Sequence, residues 1–146
     1  MRYPDNNEGR SKGGDSTVLE NCIILDSSAI FHIRDPSTII ALGEKIFITD
    51  RIMRELKDPR ALAIIDILRP EVIEVDEKKI SELVKKYKEL SEADVSIIIC
   101  VEILKKKCRR ITVVTDDIKL SKILRRMGIN VVSIYFPPHK NVKKRG

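Results

Sequence analysis

Short apolar runs alternate with helical stripes from about residue 22 to residue 135. Cys22-Ile-Ile-Leu25 is an unbroken apolar run, the pattern of a strand covered on both faces. Residues 27–34 read as a short helix, and 36–42 as another segment closing at Gly43 as a C-cap. A second strand is expected at 45–49, then a helix over 50–57 with Ile52, Met53 and Leu56 on one side. Asp58-Pro59 supplies an N-cap and a first-turn proline for a helix running to about 68. Pro70 ends it, and 72–75 is a weaker strand.

Ile80, Leu83, Val84, Tyr87 and Leu90 keep the i, i+3, i+4, i+7 spacing of an amphipathic helix. Ser91 caps the next helix, in which Ile97, Ile98, Val101 and Leu104 face the core. The run KKKCRR (105–110) is expected to close that helix with charges suited to a C-terminus. Residues 111–115 form another apolar strand, 118–127 a helix ending at Gly128, and 131–135 a last strand. Strands alternating with helices predict an α/β fold, three layers around a parallel sheet of about five strands.

The chain has 146 residues, enough for one domain of ordinary size. We assign 1–19 to a disordered polar arm, 20–136 to the folded domain and 137–146 to a basic tail. Twenty-eight Lys and Arg against 22 Asp and Glu give +6, which suits a polyanionic partner. With 4% aromatic residues and no Trp, a binder built on base-stacking platforms is disfavoured. High Lys, Glu and Ile content leans toward a thermophile. Cys22, Cys100 and Cys108 include no CxxC pair and so cannot supply a structural zinc site. Their odd number reads as free thiols in a reducing compartment. No signal peptide or bilayer-length apolar run is evident, so the expected location is cytoplasmic, away from membranes.

The acids fall in an informative pattern. In a parallel sheet, ligands gather beyond the carboxyl ends of the strands. Asp26 directly follows the first strand, and Asp116 and Asp117 follow the strand ITVVT. Asp94 lies in the first turn of the helix after Ser91, and Glu55 in the helix after the second strand. With these five acids set aside, 28 cations face 17 acids in the rest of the chain, or +11. An acidic pocket in a basic surface suits a metal-dependent nuclease, the surface holding phosphates and the pocket holding cations. Oxygen ligands without Cys or His select Mg²⁺ or Mn²⁺. Each acid also has a plainer role: Asp94 with Ser91 forms a capping box, Glu55 can pair with Arg51, and Asp116 or Asp117 can cap a helix.

In these residues the chain resembles the PIN-domain ribonucleases. The family pattern is an apolar strand ending in Asp and small hydroxyl residues, here ILDSSAIF (24–31). It continues with a helical Glu in RIMREL, Asp in LSEADVSII and Thr-x-Asp in VTDD (114–117). ELKDPRA (55–61) and TDDIKLSKILRRMGINV (115–131) are similar to the archaeal endonuclease that matures the 3′ end of small-subunit ribosomal RNA, although that enzyme's zinc ribbon has no counterpart here. The resemblance implies a metal site of Asp26, Glu55, Asp94 and Asp117 or Asp116, with Ser27 and Thr115 as supporting hydroxyls. It implies in-line attack of water on phosphorus, leaving a 3′-hydroxyl and a 5′-phosphate. The implied partners are precursor ribosomal RNA and ribosome-assembly factors, with a homodimer as an analogy to other PIN domains.

Lys57 and Arg60 are expected near the pocket as substrate contacts, and Lys105, Lys106 and Lys107 as RNA-binding or helix-ending charges. His32 reads as a helix residue. Two alternatives share the RNA partner: a toxin-type PIN ribonuclease and a non-catalytic RNA-binding assembly factor. A phosphoacceptor receiver domain fits poorly, because Asp26 is followed by two serines rather than preceded by a second acid.

Overall fold

A computed structural model describes residues 18–134. Residues 1–17 of the expected polar arm, and the whole basic tail at 137–146, lie outside the described residues. In chain order the elements are β1 (Leu19–Leu25), α1 (Ser27–His32), α2 (Ser37–Ile40), β2 (Lys45–Thr49), α3 (Asp50–Glu55) and α4 (Pro59–Leu68). Then come β3 (Glu71–Ile73), α5 (Glu77–Lys86), α6 (Glu92–Leu104), β4 (Cys108–Val114), α7 (Ile118–Arg126) and β5 (Asn130–Val132). The five strands form one sheet in the order β3-β2-β1-β4-β5, every pairing parallel, flanked by helices. The α/β expectation holds.

Strand order explains where a site can form. The chain moves outward from β1 to β2 to β3, then returns across the sheet to place β4 on the other side of β1. Order therefore reverses between β1 and β4, and the crevice at their carboxyl ends is where such sheets collect ligands. The helices are made by local signals. Asp58 accepts the Ala61 amide (2.9 Å) with Pro59 in the first turn of α4. Ser91 and Asp94 close a capping box at the start of α6. Gly128, at φ +80°, ends α7 in the left-handed region that suits glycine.

α6 is the central helix. Val95, Ser96 and the run Ile97-Ile-Ile-Cys-Val101 are all buried, so it is apolar nearly all round, whereas α5 buries only Ile80 fully. Two buried polar contacts fix it. Ser96 Oγ donates to Ala93 O (2.6 Å), which uses its one proton, so Thr49 Oγ1 must donate in the 2.7 Å bond between the two hydroxyls. Thr49 also accepts the Ile52 amide (3.1 Å), capping α3. Arg51, 7% exposed, binds Glu92 of α6 (3.0 Å) and Glu77 of α5.

Three expectations are corrected. The run 105–110 does not close a helix throughout: α6 ends at Leu104, and Cys108, Arg109 and Arg110 open β4, where pairing to β1 outweighs local charge preference. Gly43 is not the cap of the preceding helix, which ends through Ala41. It is required for close approach, since a Cβ there would lie 2.7 Å from Ile23 Cδ1 and 3.0 Å from the Asn21 carbonyl.

The third concerns cysteine. Cys22 and Cys108 form a disulfide joining β1 to β4, and only Cys100 is free, its thiol pushed up to about 12 by burial. Separated by 86 residues, the pair carries no sequence signal until the sheet brings the strands together. The disulfide removes the ground for inferring a reducing compartment. No helix among the described residues is long and apolar enough to cross a membrane. Reduction, or Cys108→Ser, is expected to lower stability by about 2–4 kcal/mol, because the closed loop is long. Urea unfolding with and without a phosphine reductant measures this, and coincident curves would refute it.

Candidate active site

The register of the sheet builds the site. Leu25 pairs with Val114 and Ile24 with Phe47. Extending both pairings puts Thr49, Asp26 and Thr115 in one row at the carboxyl edge, with side chains on the same face. The backbone keeps to that row, as the Asp26 amide donates to Val114 O and the Thr115 amide to Val132 O, each at 3.0 Å.

Asp26 is 4% exposed. Its Oδ1 accepts the Ser27 amide (2.9 Å), capping α1, and its Oδ2 accepts Thr115 Oγ1 (2.6 Å) and Ser28 Oγ (3.1 Å). Burial pushes the Asp26 carboxyl up to about 6, with the charge of Asp94 adding, against the lowering effect of these hydrogen bonds. Asp94 is also raised, first by burial and then by Asp117 and Glu55, while its bonds with Ser91 pull the other way. Asp26, Asp94, Asp117 and Glu55 thus form one electrostatic cluster drawn from four elements.

The capping role expected of Asp94 is real. Its Oδ2 accepts the Ser91 amide and its own amide donates to Ser91 Oγ, both at 3.1 Å. Capping and clustering coexist, because the cap places the carboxylate at the helix start facing the crevice. Asp117 caps α7 by accepting the Leu120 amide at Oδ1 (3.0 Å), and its own amide donates to Thr115 Oγ1 (3.0 Å). The ion pair considered for Glu55 does not form: Arg51 is bound by Glu77 and Glu92, and Glu55 ends α3 exposed.

Asp116 and Asp117 separate cleanly. Asp116 turns toward the end of β5, where it accepts from Ser133 Oγ and the Ile134 amide (2.9 Å) and contacts His32 Nδ1 (2.6 Å). Asp117 acts on Asp94. Ser28 links the two groups, donating to Asp26 and accepting the Asp116 amide (2.9 Å). Of the two supporting hydroxyls, Thr115 touches Asp26 directly, whereas Ser27 contributes its backbone amide.

The expected substrate cations are scattered. Arg60 donates through Nη1 to the carbonyls of Ile30 (3.2 Å) and Phe31 (3.3 Å) and through Nη2 to that of Ile33, finishing the C-terminus of α1. Lys57 is exposed beyond α3. Lys105, Lys106 and Lys107 lie between α6 and the start of β4, at the opposite edge of the sheet from the acids. Sequence reasoning passed over Ser28, Thr49 and Ser96, and gave Arg51 a different partner. Ser28 was visible as the second hydroxyl of DSS; Thr49 and Ser96 meet across 47 residues and had no sequence signal.

The donor set is all oxygen, and the charges resist one another, which suits a hard divalent cation. Among the described residues, no three His, Cys, Asp or Glu side chains stand close enough to hold an ion as placed. Above pH 6 the buried Asp26 charge costs stability. The folded chain keeps a proton that the unfolded chain loses between pH 3.8 and about 6, so stability falls as pH rises through that window, by about 3 kcal/mol at most. Asp26→Asn is expected to gain that much on the wild type between pH 4 and 7, read by urea unfolding at each pH. A constant difference between the two proteins would show that Asp26 titrates normally.

No family model matches the chain, and no curated protein matches it.

Proposed function

We propose that the protein is a PIN-type, metal-dependent endoribonuclease acting on RNA phosphodiester bonds. The observation that carries this reading is the convergence of Asp26, Asp94, Asp117 and Glu55 at the β1–β4 switch point, where each raised acid is raised partly by its neighbours. Such an arrangement is costly in isolation and is relieved by a cation. Asp26, Asp94 and Asp117, with Glu55, would hold Mg²⁺ or Mn²⁺. When bound, the ion would supply Lewis acidity to the scissile phosphate and lower the pKa of a water.

The chain's own residues set the geometry. Thr115 and Ser28 fix the Asp26 rotamer, and the Ser91 box fixes Asp94. The amino ends of α1, α6 and α7 meet at the cluster, and their dipoles favour negative charge there, on the carboxylates and on a phosphate. No side-chain nucleophile is needed. The sequence resemblance favours precursor small-subunit ribosomal RNA as the substrate, with cleavage leaving a 5′-phosphate. A second reading is an RNA-binding assembly factor without turnover, which needs only the basic surface and no metal.

The two readings divide on one experiment. End-labelled RNA spanning the small-subunit 3′ boundary is incubated with the protein in Mn²⁺, Mg²⁺ or EDTA. Metal-dependent cutting is expected, falling by roughly a hundredfold or more in Asp26→Asn, Asp94→Asn and Asp117→Asn. Asp116→Asn is expected to keep metal binding, followed by calorimetric titration of Mn²⁺. RNA bound but uncut, with no Mn²⁺ uptake, would establish the assembly-factor reading instead.

A further inference from the structure

Without a bound cation the four carboxylates repel a polyanion, and Arg60 is spent on the carbonyls of α1. Five of the six residues 105–110 are Lys or Arg, and they lie at the other edge of the sheet. There Lys105, Arg109 and Arg110 line a cavity of about 660 Å³ together with apolar Ile111, Met127 and Ile129. That is the size and mixture of a site for one small ligand. Arg125 and Arg126 in the last turn of α7, and Lys105 just past the end of α6, have a sufficient cause in the helix dipoles. Arg109 and Arg110 do not, since they belong to β4. Arg109 is engaged by Glu20 (3.1 Å), which leaves Arg110, exposed on the cavity wall.

We infer that this cavity binds one nucleotide of an RNA strand, its phosphate on Arg110, with Lys105 beside it 4.0 Å from Glu102, and its base against half-buried Met127. The inference rests on RNA as the substrate of the proposed function. β4 runs from this cavity to Thr115, so at about 3.3 Å per residue the two sites are roughly 20 Å apart. At about 3.4 Å per stacked nucleotide, roughly six nucleotides is the least that joins them, because β4 is an inner strand and the path must pass around it. Affinity would come from the basic edge and chemistry from the acidic one.

Fluorescence anisotropy in EDTA tests this without metal or cleavage. RNAs of about 4 and about 16 nucleotides are titrated with wild type, Arg110→Glu, Arg110→Gln and, for the same charge change on α5, Lys85→Glu. Arg110→Glu is expected to weaken the longer RNA roughly tenfold and to reduce the slope of log K against log salt by about 0.7. The shorter RNA, for which one nucleotide in the cavity is enough, should weaken as well, Arg110→Gln should shift both RNAs in the same direction but less, and Lys85→Glu should leave both unaffected. No loss in Arg110→Glu, or a matching loss in Lys85→Glu, would overturn the inference. So would adenosine monophosphate binding that depends on Arg110 while the longer RNA does not, which would assign the cavity to a free nucleotide. Cleavage indifferent to Arg110 would leave the nuclease reading standing, and Arg110-dependent binding of uncut RNA would do the reverse.

Discussion

The parallel pairing of β1 with β4 is the constraint on which the rest depends. Because Leu25 lies beside Val114, Asp26 and Thr115 emerge as neighbours and bond at 2.6 Å, although 89 residues separate them. A one-residue slip would turn Asp26 to the other face of the sheet. A disulfide between Cys22 and Cys108 ties the same two strands, and the loop after β4 sends Asp116 to the Ile134 amide and Asp117 to the Leu120 amide. The order reversal at these two strands opens the crevice that the acids share.

Packing then has to hold mutually repelling groups in place. Asp26 and Asp94 are both driven upward by burial and by other carboxylates. What offsets this is local and polar: capping amides at three helix starts, and hydroxyls on both sides of Asp26. Farther back, the Thr49–Ser96 bond and the Arg51 bridge to Glu77 and Glu92 lock α3 against α6, fixing the two helices that carry Glu55 and Asp94. An apolar α6 supplies the rigid floor. Acid placement is therefore a product of the core as much as of the loops.

Much of this was legible in sequence where the signal was local. Asp58-Pro59, Ser91-x-x-Asp94 and Gly128 each specify a helix end through neighbours a few residues away, and each does so here. Signals that compete with pairing misled. Arg109 and Arg110 resemble a helix end by charge, yet ladder hydrogen bonds to β1 take them into a strand. Gly43 resembles a cap by position, yet the space it needs is set by Ile23 on another strand.

The sequence by itself determined the α/β alternation and the elements on which the five acids stand, because periodicity and capping act within a few residues. Only the tertiary structure decided which acids share a field. It brought Asp117 into the field of Asp94, bound Asp116 to the Ile134 amide, withdrew Arg60 to the carbonyls of α1, joined Cys22 to Cys108, and set the basic cavity about 20 Å from the acids. Those outcomes depend on strand order and register, which arise from burial and pairing across the whole chain and leave no mark in any short stretch of it.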